Sequence, residues 1–438
     1  MTAVDRAGVP CGTASRSARG ALALLPLLAG CDLVTDSFLT NDFSGDPFPI
    51  EVETHAGAIV LGLRQAGTDD RVAVLDLLSP MTVTDAGPDA SPAVSHADLT
   101  LLGQQSRGGA FDQPRAVVPD AQILSLHPCA NAVPDCAVGP LNAPRSYQAI
   151  VGADILAGDA VRLALATDEI FVLADIAGSN AERTYACDAV FASPYRGGGT
   201  LVIGGTELPF GNRRITLNTC LAPDPDPALP QSARGADVLL VASTGIGITI
   251  LSATAYERYR QSQARLPFPP PPRSALPVDT VFLPSGLVSG NRGTLPSLAI
   301  VGGSSANTRA PCRQVFAHHL MTERNCEADD DCPCDITQST FCPVTAVMEL
   351  APSGGFGVLV VDDTDPTLQA LRTELRPDQP EVDGILGLDA MRLAEIDVDF
   401  PHDRVLARCA ADRCRVRPEL AAEGARTQIR GCLGEAPN

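Results

Sequence analysis

The chain lacks tryptophan and lysine, and aromatic residues make up only 4% of its 438 positions. Its 32 basic side chains are therefore all arginines, set against 52 Asp and Glu, and the formal net charge is −20. Binding to phosphates requires a clustered positive field, so this balance argues against nucleic acid or an anionic membrane surface as the main partner. No apolar run is long enough to span a bilayer as a helix, which excludes a polytopic membrane protein.

Glycine (38), proline (37) and apolar side chains (45%) are abundant. This apolar content is enough to bury a core, and the length suggests two or three domains. Frequent Gly and Pro interrupt long helices and favour short strands. The composition therefore predicts an acidic globular protein of the all-β class.

The N-terminus has the layout of an export signal. Arg6, Arg16 and Arg19 give it a positive start, and the apolar run Ala21–Leu28 follows. That run is too short for a transmembrane helix and fits the core of a signal peptide. It leads into Leu-Ala-Gly-Cys, ending at Cys31, which resembles the lipobox of bacterial lipoproteins.

The resemblance to a lipobox implies that residues 1–30 are a signal peptide and that Cys31 is the lipidation site. Residues 31–47 are then a polar tether between the lipid and the folded part. We expect a protein of the bacterial cell envelope, anchored in a membrane by its lipid and facing the periplasm or the cell surface. The alternative is an ordinary signal peptide followed by a chance cysteine.

The cysteine count agrees with export. Of 14 cysteines, Cys11 lies in the leader and Cys31 is assigned to the lipid, which leaves an even number. An oxidising compartment would pair them. Short spacings predict the bridges Cys129–Cys136 and Cys409–Cys414, and Cys187 could pair with Cys220 across a hairpin-like stretch. The sequence leaves the partners of six cysteines open: Cys312, Cys326, Cys332, Cys334, Cys342 and Cys432.

Strand-like runs begin at Ile50. Ile50 to Leu63 and Val72 to Thr84 are rich in β-branched residues, and Gly67 to Asp70 between them is a hairpin signal. The second half repeats the first weakly but in order: residues 72–85 correspond to 239–252, and residues 150–156 correspond to 385–391.

The second copy carries about 68 additional residues, which include a proline-rich stretch and a cysteine-rich stretch. We therefore expect an N-terminal lobe at 48–180 and a C-terminal lobe at 181–438, with an insertion at about 265–345.

The four repeated segments resemble the lobes of pepsin-like and retropepsin-like aspartic peptidases. In that family each lobe supplies a strand that ends in Asp-Thr/Ser-Gly, and a later apolar strand ending in Gly passes under that loop. The segments at 243–259 and 384–389 carry the resemblance best, and it extends from about residue 50 to 410. It implies an all-β, bilobal architecture of two related lobes, the second one decorated.

Catalysis in this family needs two carboxylates that share a proton and activate a water molecule. The first loop has the acid, Asp76, but Leu77 stands where the hydroxyl residue is expected and Leu78 stands where glycine is expected. The second loop keeps Thr244 and Gly245, but Ser243 occupies the position of the acid. One carboxylate alone cannot divide the roles of acid and base, so the resemblance implies a degenerate site.

The favoured interpretation is a pseudo-aspartic peptidase that binds an extended peptide or a protein in the cleft between its lobes. One alternative is an active aspartic endopeptidase with an atypical site around Asp76. Another is a structural envelope lipoprotein. Four further acids, Asp85, Asp362, Asp363 and Asp365, are not expected to replace the missing carboxylate, because catalytic geometry tolerates little displacement.

No cofactor and no metal site are expected. Adjacent His318 and His319 rarely face one metal, and exported cysteines usually pair. The acidic run Asp329–Asp331 lacks the spaced ligands of a calcium loop. Gly108–Gly109 could form a flap over the cleft, although a plain hairpin turn is favoured.

Overall fold

The structure, a computed structural model, describes residues 48 to 416 with internal gaps. The gaps fall at 56, 87–90, 92, 105–110, 127–146, 157–159, 174–188, 192–193, 204–205, 225, 227, 284–285, 302–311, 313–317, 321–341, 345–346, 375–380, 401–403 and 410–413. The predicted signal peptide, lipidation site and tether lie outside the described residues, as do the Gly108–Gly109 turn and the Cys129–Cys136 bridge.

The described residues of the first half form ten strands and a one-turn helix. The strands are β1 (Phe48–Glu51), β2 (Glu53–His55), β3 (Ala58–Gln65), β4 (Arg71–Leu75), β5 (Thr82–Asp85), β6 (Ala93–Gln104), β7 (Phe111–Leu126), β8 (Ala149–Val151), β9 (Ala160–Ala164) and β10 (Glu169–Leu173). The helix is α1 (Ala153–Leu156).

Seven of these strands form one sheet in the order β2-β3-β4-β8-β5-β7-β6, and an additional pairing of β3 with β6 closes it on itself. The predicted hairpin is confirmed, because β3 and β4 pair antiparallel across the turn at Gly67. The run expected from Val72 to Thr84 does not form a single strand. It divides into β4 and β5, with a loop containing Asp76 between them.

Sixteen further strands lie in the part of the second half that the structure describes. They are β11 (Ala189–Phe191), β12 (Pro194–Ile203), β13 (Thr206–Leu221), β14 (Ala236–Ala242), β15 (Thr249–Ser252), β16 (Val278–Leu283), β17 (Gly286–Leu295), β18 (Leu298–Val301), β19 (His318–Leu320), β20 (Cys342–Val344), β21 (Val347–Leu350), β22 (Phe356–Val361), β23 (Gly384–Leu386), β24 (Ala394–Asp399), β25 (Arg404–Cys409) and β26 (Cys414–Val416).

Eleven of these strands form one sheet, whose path runs β16-β17-β22-β15-β23-β14-β13-β18-β21-β26, with β12 paired to β13. The strands at its centre are predominantly apolar. β14, β15, β22 and β23 are almost entirely buried, as expected of strands that are covered on both faces. β19 and β20 pair with each other.

A six-stranded sheet joins the two halves in the order β1-β10-β9-β24-β25-β11. The junction is the antiparallel pairing of β9 from the first half with β24 from the second. Across it, Arg162 Nε donates to the buried Asp397 Oδ1 at 2.8 Å. The architecture is thus all-β and bilobal, as predicted.

Helices are few among the described residues. α2 (Ala253–Ser262) begins at Ser252, whose side chain accepts a hydrogen bond from Ala255 N, the usual role of a serine N-cap. The others are α3 (Pro366–Glu374), α4 (Leu388–Met391) and two 3₁₀ turns at Gln231–Ala233 and Arg273–Ala275. None of these helices has the length and apolarity needed to cross a bilayer.

The apolar residues form two buried clusters. The larger cluster takes side chains from all three large sheets and runs from Ile50 to Cys414. The smaller cluster lies mainly in the second half, around Ile246, Ile248 and Leu359, but it also includes Leu78 from the first half. The loop of the first lobe therefore inserts an apolar side chain into the core of the second.

Two disulfides join described cysteines. The Cys409–Cys414 bridge is confirmed. The suggested Cys187–Cys220 bridge is wrong, because Cys220 is bonded to Cys312. Cys220 lies on β13, which pairs with β18, and Cys312 follows β18 along the chain.

Candidate functional site

The two candidate loops have the same strand environment. In the first half, β8 runs parallel to β4 and antiparallel to β5, and β5 runs parallel to β7. In the second half, β23 runs parallel to β14 and antiparallel to β15, and β15 runs parallel to β22. Each loop therefore connects two strands that lie on either side of a third, later strand.

The backbone contacts of the two loops match residue for residue. Asp76 N donates to Val151 O at 2.9 Å, and Ser243 N donates to Leu386 O at 3.0 Å. These bonds place Asp76 and Ser243 at equivalent points, each at the carboxyl end of its strand.

A threonine and a glycine brace each loop from below. Gly152 N donates to Thr82 Oγ1 at 3.0 Å, and Gly387 N donates to Thr249 Oγ1 at 3.2 Å. A Cβ atom on Gly152 would come within 2.6 Å of a backbone carbonyl oxygen, and one on Gly387 within 2.4 Å. Only glycine allows this close approach of backbone to backbone.

The structure brings Asp76 and Ser243 into direct contact. Ser243 Oγ donates to Asp76 Oδ1 at 2.8 Å. Gly245 N donates to the same oxygen at 3.3 Å, and Leu78 N donates to it at 3.0 Å. Asp76 is 3% exposed and Ser243 is fully buried. All the hydrogen bonds that these neighbours supply converge on one carboxylate oxygen.

Thr244 holds the two loops together. Its Oγ1 accepts a hydrogen bond from Leu77 N at 3.1 Å and donates one to Leu75 O at 2.8 Å. Its backbone oxygen accepts a hydrogen bond from Ile59 N at 3.0 Å. The equivalent position in the first loop is Leu77, which has no hydroxyl group. The hydroxyl-mediated link between the loops is therefore made from one side only.

In the first loop, two buried leucines occupy the positions of the motif's hydroxyl residue and glycine. Leu77 lies in the larger apolar cluster and Leu78 in the smaller one. Neither Leu78 nor its counterpart Gly245 has a positive φ, so leucine in place of the motif's glycine puts no left-handed strain on the backbone of the first loop.

Arg214 is a member of the site that the sequence did not reveal. It lies on β13 with a buried side chain, and its Nη1 donates to Leu78 O. Its Nε and Nη2 donate to the two carboxylate oxygens of Glu374 at 2.5 and 2.9 Å. The bidentate pair fixes the guanidinium against the backbone of the Asp76 loop. Arg213 precedes it in the same strand, and no feature of the pattern marks which arginine is buried.

The surroundings of Asp76 favour its protonated form. Burial raises the pKa of Asp76 above its ordinary value, while the Ser243 hydroxyl, two backbone N–H groups and the Arg214 charge oppose this rise. The site can therefore hold or release one proton. A serine hydroxyl does not ionise at the pH at which carboxyl groups titrate, so Ser243 cannot supply the second titrating group that the two-carboxylate mechanism requires.

Two more acids follow the glycines that lie under the loops. Asp154 accepts hydrogen bonds from Thr82 N and Thr82 Oγ1, both at 2.9 Å, and burial raises its pKa. Asp389 N donates to Gly247 O at 2.9 Å. Burial raises the pKa of Asp389, although the charges of Arg392 and Arg292 oppose the rise. The carboxylate of Asp154 therefore stabilises the first loop through Thr82.

The other acids in the second half have different partners. Asp362 Oδ1 accepts from Arg273 Nη1 at 2.5 Å, and Asp363 Oδ2 accepts from Thr254 Oγ1 at 2.8 Å. Asp365 accepts hydrogen bonds from backbone N–H groups in the first turn of α3. No group of three or more potential metal ligands occurs in the part of the chain that the structure describes.

No protein-family model matches the chain, and no curated protein does. Its fold is similar to that of an aspartic proteinase from Irpex lacteus, at 11% identity and a TM-score of 0.37, over 83% of this chain and 97% of that one. It is also similar to basic 7S globulin from soybean, at 12% identity and a TM-score of 0.40, over 83% and 95%. Likeness at this level assigns no activity to the chain.

Proposed function

We propose that the chain is a catalytically inactive, aspartic-peptidase-like protein that binds an extended peptide or a protein in the cleft between its two lobes. On this proposal it is exported and held at a membrane of the bacterial envelope by a lipid on Cys31, facing the periplasm or the cell surface. It requires neither a cofactor nor nucleic acid.

The observation that carries the proposal is the hydrogen bond of 2.8 Å between Ser243 Oγ and Asp76 Oδ1. In a two-carboxylate site, repulsion between neighbouring acids separates their pKa values, so that one group acts as base and the other as acid. Ser243 instead supplies a neutral donor at that point. Losing one member of a cooperating pair usually removes most of the rate.

Peptide binding does not depend on the missing acid. An extended chain can bind between two β-lobes through main-chain hydrogen bonds and side-chain pockets, without an activated water molecule. The loops also keep their mutual contacts through Thr244, so loss of the acid is compatible with an intact scaffold.

Building a two-carboxylate site tests the assignment of Asp76 and Ser243 as the paired positions. Ser243→Asp combined with Leu77→Thr and Leu78→Gly supplies the second carboxylate and the second hydroxyl, and we expect it to cleave a mixed peptide library at acidic pH. Ser243→Asn in the same background is the matched control, because it has the shape of aspartate without its charge. If the triple variant folds and cleavage stays at background, the assignment of the site is wrong.

The unmodified chain separates the alternative functions. We expect no cleavage, and we expect retention of extended peptides that survives Asp76→Asn. Acid-dependent cleavage that disappears in Asp76→Asn would instead establish an active peptidase. If neither the unmodified protein nor the Asp76→Asn variant retains any peptide of the library, a structural role in the envelope would be favoured.

The lipid anchor is tested independently. Cys31→Ser removes the only sulfur in the lipobox, so we expect loss of acylation and release from the membrane fraction, measured by mass spectrometry and fractionation. Cys11→Ser, in the leader, is the matched control and should leave both unchanged. A Cys31→Ser protein that still sediments with membranes would contradict the assignment.

A further inference from the structure

The exposed apolar side chains are concentrated in one short stretch. Among the described residues, the large hydrophobics that stand out in solvent are Leu266, Phe268 and Val278. Phe268 is the extreme case, 92% exposed. It lies in Leu266–Pro272, LPFPPPP, called here the polyproline segment. Most other large apolar side chains of known exposure are buried or half-buried, whereas this phenylalanine lies in water.

The four prolines at the C-terminal end of the polyproline segment, Pro269–Pro272, are extended because of their sequence. Proline fixes φ near −65°, and a residue that precedes proline is pushed into the extended region. Phe268 and each of the next three prolines precede a proline, so both restrictions apply along the run. Pro272 has φ −62° and ψ 150°, the polyproline II conformation.

Three contacts hold the segment against the rest of the second lobe. Arg260 Nε, on α2, donates to Pro270 O at 3.2 Å. Tyr256 Oη, on the same helix, donates to Pro271 O at 3.1 Å. Ala275 N donates to Pro272 O at 2.9 Å. The C-terminal half of the segment is therefore fastened to α2 and to the turn that follows.

Polyproline II has three residues per turn, so residues three apart share a face. Pro269 and Pro272 form such a pair and both are exposed, as is Pro271, whereas Pro270 is half-buried. The chain bends at residues 266–268, so Phe268 lies at the N-terminal end of the proline run and outside its helical repeat. The run thus presents exposed proline rings to solvent, with the exposed aromatic side chain of Phe268 beside it.

We propose that the polyproline segment is a docking site for a protein domain with an aromatic-lined groove that binds polyproline II ligands. Such grooves recognise a preformed helix of this kind, whose ordering entropy has already been lost. The carbonyls of Pro270 and Pro271 accept hydrogen bonds from α2, and the exposed proline rings and Phe268 remain free to enter the groove. The segment shares no residue with the Asp76–Ser243 site, so this proposal and the proposed function fail separately.

The test uses the full chain and three purified probe domains, an SH3, a WW and an EVH1 domain, each titrated by NMR with its groove resonances observed. We expect at least one domain to bind. Phe268→Ala should weaken that binding by about tenfold or more, as burial of an aromatic side chain implies. Val278→Ala is the matched control, because Val278 is 80% exposed but lies outside the segment. It should leave binding unchanged.

Two other occupants would give different results. In a Cys31→Ser background, phosphatidylethanolamine–phosphatidylglycerol vesicles test for a lipid surface, and sedimentation velocity tests for a second copy of the chain. Binding to vesicles or self-association that Phe268→Ala abolishes would overturn the proposal. So would failure of all three probe domains to bind, or equal effects of Phe268→Ala and Val278→Ala.

Discussion

Thr244→Val should destabilise the protein by removing one hydroxyl group that joins the two loops. Valine keeps the shape of the side chain but can neither accept the hydrogen bond from Leu77 N nor donate to Leu75 O. A buried N–H group left without a partner costs about 1–3 kcal/mol, and loss of the second bond adds about 1 kcal/mol. We therefore expect a loss of about 2–4 kcal/mol in the free energy of unfolding, a large part of the total for a typical domain.

The assay is urea unfolding followed by far-UV circular dichroism and tyrosine fluorescence, since the chain has no tryptophan. Amide hydrogen exchange at Leu77 gives a local measurement, because its N–H loses its acceptor and should exchange faster. Thr280→Val is the matched control. Thr280 Oγ1 lies 3.0 Å from Ser289 Oγ on an exposed surface, and its loss should cost less than about 0.5 kcal/mol.

Thr244→Ser distinguishes the hydroxyl from the methyl group. If the hydrogen bonds stabilise the loops, serine should keep most of the stability and the slow exchange at Leu77. Equal losses in Thr244→Ser and Thr244→Val would refute the reasoning, because packing of the methyl group would then explain the effect. Equal losses in Thr244→Val and Thr280→Val would refute it as well.

Two further predictions concern the charges around Asp76. The pKa of Asp76 is raised in the folded state, so between its ordinary pKa and the raised value the folded protein binds more protons than the unfolded protein. The free energy of unfolding should therefore fall as the pH rises through that window. Asp76→Asn removes the titrating group and should flatten this part of the stability–pH profile. Arg214→Met removes the bidentate partner of Glu374 and the donor to Leu78 O, so urea unfolding should show a loss of about 3 kcal/mol. The variant also removes a positive charge near Asp76, so a carbon-13 NMR titration should show a higher pKa of Asp76. Arg214→Lys, which keeps the charge, should change that pKa less, and an equal shift in both variants would contradict the electrostatic argument.

The strand scaffold of the site could be predicted because its signals are local. The apolar runs end at the loops, and the repeated segments align without a gap from Asp76 to Thr82 and from Ser243 to Thr249. Matching positions then carry matching contacts in the structure, as the two threonines under the loops illustrate. Hydrophobic periodicity and internal repetition can be recognised in the sequence even where its overall identity to known proteins is low.

Long-range side-chain partners could not be predicted in the same way. The contact from Arg214 to Leu78 spans 136 residues, and Cys220 lies 92 residues from Cys312. The disulfide depends on the pairing of β18 with β13, and the arginine contact depends on how the loop after β4 packs against β13. No local pattern in the sequence encodes either arrangement. Leu78 illustrates a further limit of motif reasoning: the motif has glycine there, but the φ angle at that position does not require glycine.

Ser243 also explains how such a buried site can be satisfied without a second acid. Two carboxylates at this depth would repel each other and would need a shared proton or compensating donors. With serine, the single carboxylate of Asp76 receives a hydroxyl and two backbone N–H groups, and the first loop closes over buried Leu77 and Leu78. Reintroducing an acid at Ser243 would exchange a satisfied contact for a repulsive one. In the rebuilt dyad, gain of activity and loss of stability should therefore occur together, the trade-off expected when a functional arrangement is not the most stable one.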